Sequence, residues 1–468
     1  FPQLGETVYL FGLGESGELA AKFYHILCGL LVGLALYGFC RSYFSKKLSL
    51  LAVALFLTVP TVVVILPWAY VDLIFCLYSF LALLALLEFF KTGSRQWTWL
   101  AGVMAGAACA TKYTGLQLLL LLVLFTLVEH LTAKRKGWPA GVTGLIIGAV
   151  PIALLYPLRN FYFTGWPLFP FQLGSLSLHP GVNWDLDRTQ LYLRWLSSFG
   201  TFSEKGSVWD SLAAPVLVFV RGRFGEARFY DGVIGPVFLL APISLARGIK
   251  NREVKLLYLF SSLFLLYWAF TTKQVRFLLP VLPVLSFLVV SGLTEWRNRA
   301  IQVLTIILVV LGLVVGIEQG IKSMSDPSPL RFWLGRETRD QYLGRRLDVY
   351  AIYEEANHAL GPGDQVYLVD MKNYGYYLNC RWRADFIFED YSLSGCLDKA
   401  AGSGDILDFF RSLEITHLLI NEGLVTDPTF GLKPRPLTLL KSFMHDHASL
   451  LARDVYGHAL YKLTYKDQ

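Results

Sequence analysis

Long apolar stretches, separated by short polar segments, fill the first two thirds of the chain. A helix needs about 20 apolar residues to cross the hydrocarbon core of a bilayer. Stretches of roughly this length lie at 18–41, 48–66, 70–91, 97–111, 115–132, 138–157, 229–247, 253–271, 277–294 and 300–318. The pattern therefore predicts an all-α polytopic membrane domain with about ten transmembrane helices.

The pattern changes after residue 335. Helical periodicity covers 340–360 and 404–413. Short apolar strands are predicted at 365–370, 384–388, 416–420 and 458–465. Strands that alternate with helices are typical of a small α/β domain. We therefore divide the chain into a multi-pass transmembrane domain, 1–320, and a soluble C-terminal α/β domain, 335–468.

The composition agrees with a membrane protein. Of the 468 residues, 54% are hydrophobic and 16% are charged, whereas soluble globular chains carry roughly 25% charged residues. Lipid offers no water to solvate buried charge, so a deficit of charged residues is expected in membrane-spanning helices.

The distribution of Lys and Arg predicts the orientation. Cytoplasmic loops collect positive residues, and here every second loop is basic, whereas the segments 1–17 and 67–69 carry no Lys or Arg. The positive residues are Arg41, Lys46, Lys47, Lys91, Arg95, Lys134, Arg135, Lys136, Arg247, Lys250, Arg252, Lys255, Arg297 and Arg299. We expect the opposite side to hold residue 1, the long loop 159–228 and an extracytoplasmic C-terminal domain.

One acidic residue lies at the predicted outer mouth of two spans. Asp72 occurs in the apolar run LPWAYVDLIF. A carboxylate at membrane depth is costly and is a functional candidate by default. The alternative is a helix cap, because Asp also suits the first turn of a helix.

Several cations break the positive-inside trend because they lie in predicted outer segments. One explanation is that they reach toward lipid headgroups. The other is a shared anion site, since Arg and Lys stabilise phosphate. These residues are Lys112, Arg159, Lys273 and Arg276. If they form one site, Asp72, Lys112, Lys273 and Arg276 should converge at the outer membrane face.

Three further patterns are less specific. Residues 12–17, GLGESG, match GxGxxG, but a dinucleotide fingerprint needs a preceding strand, which is not predicted here. Asp185 and Asp187 form a DxD pair in the outer loop, where carboxylates bind a divalent cation or are simply solvated. In an oxidising compartment, Cys380 and Cys396 would be able to form a disulfide with Cα atoms within about 7 Å.

The order of these features resembles the polytopic GT-C glycosyltransferases, specifically bacterial family 39-like members. These are related to protein mannosyltransferases and to the aminoarabinose transferase of lipid A. The resemblance covers roughly 1–295 and rests on FPQLGETVYLFG, AYVDLIFCLYSFLALLALLEFF, LAGVMAGAACATKYTGL, PLRNFYFTGWPLFPF and TKQVRFLLPVLPVLSF.

The resemblance implies an enzyme that uses a sugar linked to polyprenyl phosphate. The enzyme would transfer the sugar, a hexose or a pentose, to a lipid, glycan or protein acceptor at the outer membrane face, with inversion at the anomeric carbon. A carboxylate would act as general base, and cations or a divalent metal, Mg²⁺ or Mn²⁺, would neutralise the leaving phosphate. Its partners would be these substrates and membrane lipid, without nucleic acid, in bacterial cell-envelope biosynthesis at the inner membrane.

By the same resemblance, Asp72 is the catalytic-site carboxylate, acting as metal ligand or electrostatic partner. Lys112, Lys273 and Arg276 would bind the donor phosphate, with Arg159 as an additional candidate. The family places its principal acidic residue in the first outer loop, and this chain begins after that point. If the catalytic base lies upstream of residue 1, these 468 residues alone would be inactive.

Two other classes of protein stay open. A transporter or flippase for a lipid-linked or anionic substrate would also place charges at membrane depth, but near the midplane and with inverted repeats. A non-catalytic scaffold would use its outer domain to bind partners. Charges that lie at one face beside a long outer loop favour the enzyme.

Overall fold

The computed structural model describes residues 1–133, 138–171, 178–179, 182, 184–202, 207–247, 252–295, 299–325, 330–371, 374–385, 392–428 and 431–465. The chain forms two compact units: Phe1–Pro180 with Leu193–Met324, and Gly181–Tyr192 with Ser325–Gln468. Some of the residues on which predictions rest lie outside the described ranges, namely Lys134, Arg135, Lys136, Lys250, Arg297 and 386–388 of a predicted strand.

The first unit is helical. Its α-helices are α1 Leu4–Ser16, α2 Glu18–Arg41, α3 Lys46–Leu57, α4 Pro60–Ile65, α5 Asp72–Thr92, α6 Arg95–Thr111, α7 Thr114–Ala133, α8 Trp138–Ala153, α9 Leu155–Thr164, α10 Leu186–Ser198, α11 Val208–Arg221, α12 Arg252–Ala269, α13 Leu282–Glu295 and α14 Arg299–Ser325. Its 3₁₀ helices are Ala227–Phe229, Pro236–Arg247 and Val275–Val281. Helix α10 begins in the short segment of the second unit and ends in the first.

The structure gives fewer continuous spans than the sequence predicts. Within the described residues, four helices are long and apolar enough to cross a membrane: Leu19–Arg41, Asp72–Thr92, Thr114–Leu131 and Val275–Leu293. A fifth arises if the pair Ala140–Ala153 and Leu155–Thr164, bent by 43°, counts as one span. An integral membrane protein is supported, whereas the predicted number of about ten spans is not confirmed.

Proline accounts for two of these interruptions. The predicted span 48–66 is divided between α3 and α4, and Pro60 is the first residue of α4. Pro242 lies inside the 3₁₀ segment of the predicted span 229–247. Proline lacks an amide hydrogen and clashes with the preceding turn, so an apolar run of spanning length need not form one regular α-helix.

Glycines bring α6 and α8 into backbone contact. A Cβ atom added at Gly102 would lie 2.3 Å from the carbonyl oxygen of Leu145, and one added at Gly106 would lie 2.6 Å from that of Ala149. Small residues spaced four apart permit this approach between membrane helices. The close packing anchors α6, whose C-terminal end carries Lys112.

The second unit contains a mixed five-stranded sheet. Its helices are α15 Leu330–Trp333, α16 Arg339–Arg346, α17 Tyr350–Ala359, α18 Ser392–Lys399, α19 Ser403–Ser412, α20 Glu422–Val425 and α21 Pro434–His447, with a 3₁₀ turn at Tyr374–Tyr377. Its strands are β1 Gln365–Val369, β2 Arg381–Asp385, β3 His417–Asn421, β4 Ala448–Arg453 and β5 His458–Leu463. The strand order is β2-β1-β3-β5-β4; β1 is parallel to β2 and β3, and β5 is antiparallel to β3 and β4.

Successive residues of the interior strand β1 pack into two different apolar clusters, one on each face of the sheet. Tyr367 of β1 packs in one cluster and Leu368 in the other, as the alternation of side chains in a strand requires. Cys396 packs against the first cluster and Cys380 against the second, and both are free thiols. The predicted disulfide between them is therefore wrong, because the sheet separates the two side chains.

Asp370 supplies a pH test of the second unit. It follows β1 in a left-handed conformation, φ 53°, and burial raises the pKa of its carboxyl to about 6. Because the folded state holds this proton more tightly than the unfolded state, the free energy of unfolding falls as pH rises from about 4 to about 6. Asparagine has no carboxyl group to ionise in this buried place, and it tolerates the left-handed backbone conformation.

We therefore expect D370N to stabilise the second unit by on the order of 1–2 kcal/mol near pH 7 and to change little near pH 4. Hydrogen exchange of the β1 and β3 amides in the full chain measures the difference. D398N is the control, because Asp398 is an acidic residue of the same unit that lies in α18 instead of after β1. Equal exchange rates for D370N and the unaltered protein at neutral pH would contradict the prediction.

Candidate active site

Asp72, Lys112 and Arg276 form one charged cluster in the first unit. Lys112 Nζ lies 2.7 Å from Asp72 Oδ1, and Arg276 Nη1 lies 3.9 Å from Asp72 Oδ2. Asp72 is only 2% exposed. The three residues come from separate parts of the chain and carry one net positive charge, and we call them the Asp72 cluster.

Helix ends and a short extended segment place these three side chains. Asp72 begins α5, where the helix dipole favours a carboxylate. Lys112 follows α6 with extended backbone, φ −157° and ψ 143°, which directs the chain away from the helix axis. Arg276 lies in the first turn of the 3₁₀ helix Val275–Val281. Each residue is therefore fixed by an element boundary.

Aromatic rings surround the two cations. Lys112 Nζ lies 3.5 Å from the centroid of the Phe277 ring, and the Arg276 guanidinium lies 5.5 Å from the same centroid. Arg276 also lies 5.4 Å from the centre of the Tyr70 ring. Cation–π contacts stabilise a positive charge where water is scarce. The cluster thus holds two cations beside a single carboxylate, an arrangement that can bind an anion with several oxygen atoms.

Lys273 is not part of the Asp72 cluster. Its Cβ approaches Gly200, and burial lowers the pKa of its ammonium group, an effect that the Asp210 carboxylate opposes. The carboxylate that acts on Lys273 is thus Asp210, whereas Arg276 pairs with Asp72. The predicted convergence therefore applies to Asp72, Lys112 and Arg276, without Lys273.

Arg159 contacts the first helix instead of Asp72. Its Nη1 donates a hydrogen bond of 2.5 Å to Gln3 Oε1. The next residue, Asn160, is buried and donates to the hydroxyl of Tyr113 at 2.8 Å. Tyr113 directly follows Lys112, so α9 approaches the neighbourhood of the cluster while Arg159 itself pairs elsewhere.

Glu6 is a carboxylate near the cluster that the sequence analysis missed. It follows Gly5, where an added Cβ would lie 2.7 Å from Val71 Cγ1, so the first turn of α1 packs against the start of α5. Burial raises the pKa of Glu6, the Lys112 ammonium opposes the shift, and Asp72 adds to it. The surrounding protein removes part of the water around the carboxyl group, while the residue as a whole stays accessible to solvent. An acidic residue in FPQLGETVYLFG was the available signal.

The DxD residues Asp185 and Asp187 each have a partner within the protein. Asp185 Oδ1 accepts a hydrogen bond from the backbone N–H of Arg188 at 2.7 Å, so it caps α10. Asp187 lies 3.7 Å from Lys433 in a highly exposed ion pair. In the part of the chain that the structure describes, no three His, Cys, Asp or Glu side chains are grouped to hold a metal. Both oxygens of Asp72 face cations, which does not fit a metal ligand.

One family matches a segment of the chain. Residues 7–156 match the family model described as dolichyl-phosphate-mannose-protein mannosyltransferase. This segment contains Asp72 and Lys112 but ends before Arg276. A search among curated proteins gives no significant match to this chain.

Solved structures share the fold along almost the whole chain. ArnT from Cupriavidus metallidurans bound to undecaprenyl phosphate is 16% identical, with a TM-score of 0.59, and the alignment covers 98% of this chain and 87% of ArnT. The apo state of ArnT gives 13% identity, a TM-score of 0.61 and the same coverage. The Archaeoglobus fulgidus oligosaccharyltransferase in complex with Zn and sulfate gives 13% identity, a TM-score of 0.53, and coverage of 98% and 64%.

At these identities the structural likeness establishes the fold alone. The fold extends over both units, whereas the family match covers part of the first. Together with the apolar helices, they support an integral membrane protein. The predicted resemblance is thereby confirmed as a sequence match to the protein mannosyltransferase family over residues 7–156 and as a likeness in fold to ArnT.

Proposed function

We propose that this protein is a membrane glycosyltransferase that transfers a hexose or pentose from a polyprenyl-phosphate donor to a lipid, glycan or protein acceptor. The reaction takes place at the outer membrane face and inverts the anomeric carbon. The observation that carries the proposal is the Asp72 cluster, because two cations held beside one buried carboxylate suit a phosphate group. ArnT, which has the same fold, was crystallised with undecaprenyl phosphate, which supports a lipid phosphate as ligand.

In the proposed reaction, the acceptor hydroxyl oxygen attacks the anomeric carbon from the face opposite the phosphate. The bond between this carbon and the phosphate oxygen breaks, and its electron pair stays on the phosphate. Negative charge grows on the phosphate in the transition state. Lys112 and Arg276 therefore stabilise the transition state more strongly than the ground state. Reduced solvation beneath the headgroups strengthens both interactions.

Two carboxylates take different roles in this proposal. Asp72 pairs with Lys112 and Arg276 and so holds the two cations in position, as the electrostatic partner expected from the sequence. We assign the acceptance of the acceptor's hydroxyl proton to Glu6, because this carboxylate lies near Lys112 and Asp72 and is accessible to solvent. Lys273 and Arg159 remain proposed donor-binding residues that would act outside the Asp72 cluster.

A divalent cation, Mg²⁺ or Mn²⁺, remains a predicted cofactor of the family mechanism. The oligosaccharyltransferase with this fold was crystallised with Zn. A metal would neutralise phosphate charge if bound with the donor. The residues around Asp72 do not form its ligands, so in this proposal Lys112 and Arg276 perform the neutralisation.

The proposed location is a bacterial inner membrane, with about ten spans and with loop 159–228 and domain 335–468 outside the cytoplasm. The support is the alternation of basic and non-basic loops. Cysteine labelling of intact cells at Ser403, in the C-terminal domain, tests the orientation. Labelling by an impermeant reagent is expected, and protection of this site would overturn the topology.

The activity is tested with full-length protein in liposomes and a panel of polyprenyl-phosphate sugars. We expect release of polyprenyl phosphate that depends on an added acceptor. The same sugars on polyprenyl diphosphate serve as a control for the phosphate group. Passage of the lipid-linked sugar across the bilayer without release of phosphate would instead identify the rival function, a flippase or transporter.

A further inference from the structure

A chain of hydrogen bonds connects Arg276 to the loop after α11. Arg276 Nε donates to Gln274 Oε1 at 2.9 Å, and Gln274 Nε2 donates to Asp231 Oδ2 at 2.7 Å. The other carboxylate oxygen, Asp231 Oδ1, accepts from the backbone N–H of Gly225 at 2.9 Å. Each group is thus oriented by the next, from a surface loop to the guanidinium of the Asp72 cluster.

Gln274 is fixed at both its backbone and its side chain. It is 4% exposed, and its carbonyl oxygen accepts from Trp268 Nε1 at 2.9 Å. Its side-chain amide meets a donor on one side and an acceptor on the other, so only one amide orientation satisfies both neighbours. A turned amide would place two donors together at Arg276 and two acceptors together at Asp231.

The loop that carries Asp231 is held in an unusual conformation. Tyr230 and Asp231 have φ values of 67° and 42°, in the left-handed region that non-glycine residues seldom adopt. Two hydrogen bonds between Val233 and Thr61 fix the loop. The N–H of Val233 donates to the hydroxyl oxygen of Thr61 at 2.8 Å, and the N–H of Thr61 donates to the carbonyl oxygen of Val233 at 3.0 Å. Such conformations persist where surrounding contacts enforce them, often at functional sites.

We propose that Gln274 and Asp231 are positioning residues for the donor phosphate site. They hold Nε of Arg276, so that the two Nη atoms face Asp72 and the donor phosphate. The Gln274 amide transmits the orienting effect of Asp231 to Arg276, because it donates to one and accepts from the other. The inference rests on the proposed function, because it requires Arg276 to bind the donor phosphate.

The test measures binding of undecaprenyl phosphate, donor KM and kcat for full-length protein in nanodiscs. Q274L keeps the size of the side chain but removes both hydrogen bonds, and we expect about tenfold weaker phosphate binding, the range for a lost hydrogen bond to a charged group. D231N should have a similar effect, because its amide cannot accept from both Gly225 and Gln274. E226Q removes a charge from the same loop, where Glu226 pairs with the exposed Arg223, and should bind as the unaltered protein does.

A double variant separates orientation from simple disruption. In Q274E a second carboxylate faces Asp231, so the chain of hydrogen bonds breaks. In the D231N–Q274E variant the new amide donates to the new carboxylate, which still accepts from Arg276 Nε. We therefore expect the D231N–Q274E variant to bind phosphate nearly as well as the unaltered protein. Its thermal stability should equal that of the single variants, so that the recovery reflects orientation.

R276A separates a failure of the proposed phosphate site from a failure of the positioning role of Gln274 and Asp231. If R276A binds undecaprenyl phosphate normally, the proposed function of the cluster fails. If R276A weakens binding but Q274L and D231N do not, only the positioning role fails. Loss of stability without a change in phosphate binding or donor KM would likewise overturn the positioning role.

Discussion

R276A should cost sugar transfer about 2–4 kcal/mol of transition-state stabilisation, by analogy with the loss of one oxyanion-hole donor. Arg276 lies 3.9 Å from Asp72, whereas Lys112 forms the closer pair at 2.7 Å. Removal of Arg276 therefore leaves the buried carboxylate paired, and folding should be preserved. The loss should appear in kcat/KM for the polyprenyl-phosphate donor, measured with full-length protein.

The matched control is R223A, which removes an exposed arginine that pairs with Glu226 at 3.5 Å. It should leave kcat/KM unchanged. R276K keeps the charge but lacks the planar fork that binds phosphate through two donors, so its activity should lie between those of R276A and the unaltered protein. Full activity of R276A would remove Arg276 from the phosphate site and with it the main support for the proposed mechanism.

The members of the Asp72 cluster were predictable because each breaks a strong rule. A charge at the end of an apolar run is rare enough that Asp72, Lys112 and Arg276 could be selected one by one. Their meeting point was not given by any local pattern. It followed from the expected sidedness of the loops, which places different chain segments at one membrane face.

Lys273 shows where this reasoning stops. Sidedness assigns Lys273 and Arg276 to the same short loop, but the nearby carboxylate is Asp210 for Lys273 and Asp72 for Arg276. Gln274 and Asp231 carried no signal, because neither an uncharged amide nor an acid in a polar loop breaks a rule. Their importance appears only through hydrogen bonds between residues 43 positions apart.

The fold was predictable to a similar extent. Apolar periodicity located most of the helical regions, but it does not report whether a proline will divide them, as at Pro60. In the second unit, β4 was missed because it follows α21 directly, at Ala448, without a glycine or proline to mark the change. Its pairing with β5 is a tertiary contact that local propensity does not encode.

D72N should destabilise the first unit and abolish the geometry of the phosphate site. The side chain of Asp72 is 3% exposed, and that of its partner Lys112 is 19% exposed. Breaking a buried ion pair by removing one partner costs about 3–5 kcal/mol, since the other charge remains without compensation. Partial exposure of Lys112 places our expectation near the lower end, about 3 kcal/mol.

Thermal unfolding of full-length protein in detergent measures this cost, and E6Q is the control because Glu6 is exposed and lies outside the ion pair. The D72N–K112M variant removes both charges. It should be less destabilised than the sum of the two single variants, because no unpaired charge remains, yet it should still fail to bind undecaprenyl phosphate tightly. Additive losses of stability would mean that Asp72 and Lys112 do not interact in the folded protein. The double variant keeps only Arg276 of the Asp72 cluster. If it still binds undecaprenyl phosphate tightly, Asp72 and Lys112 are not needed for binding, and the donor site lies elsewhere.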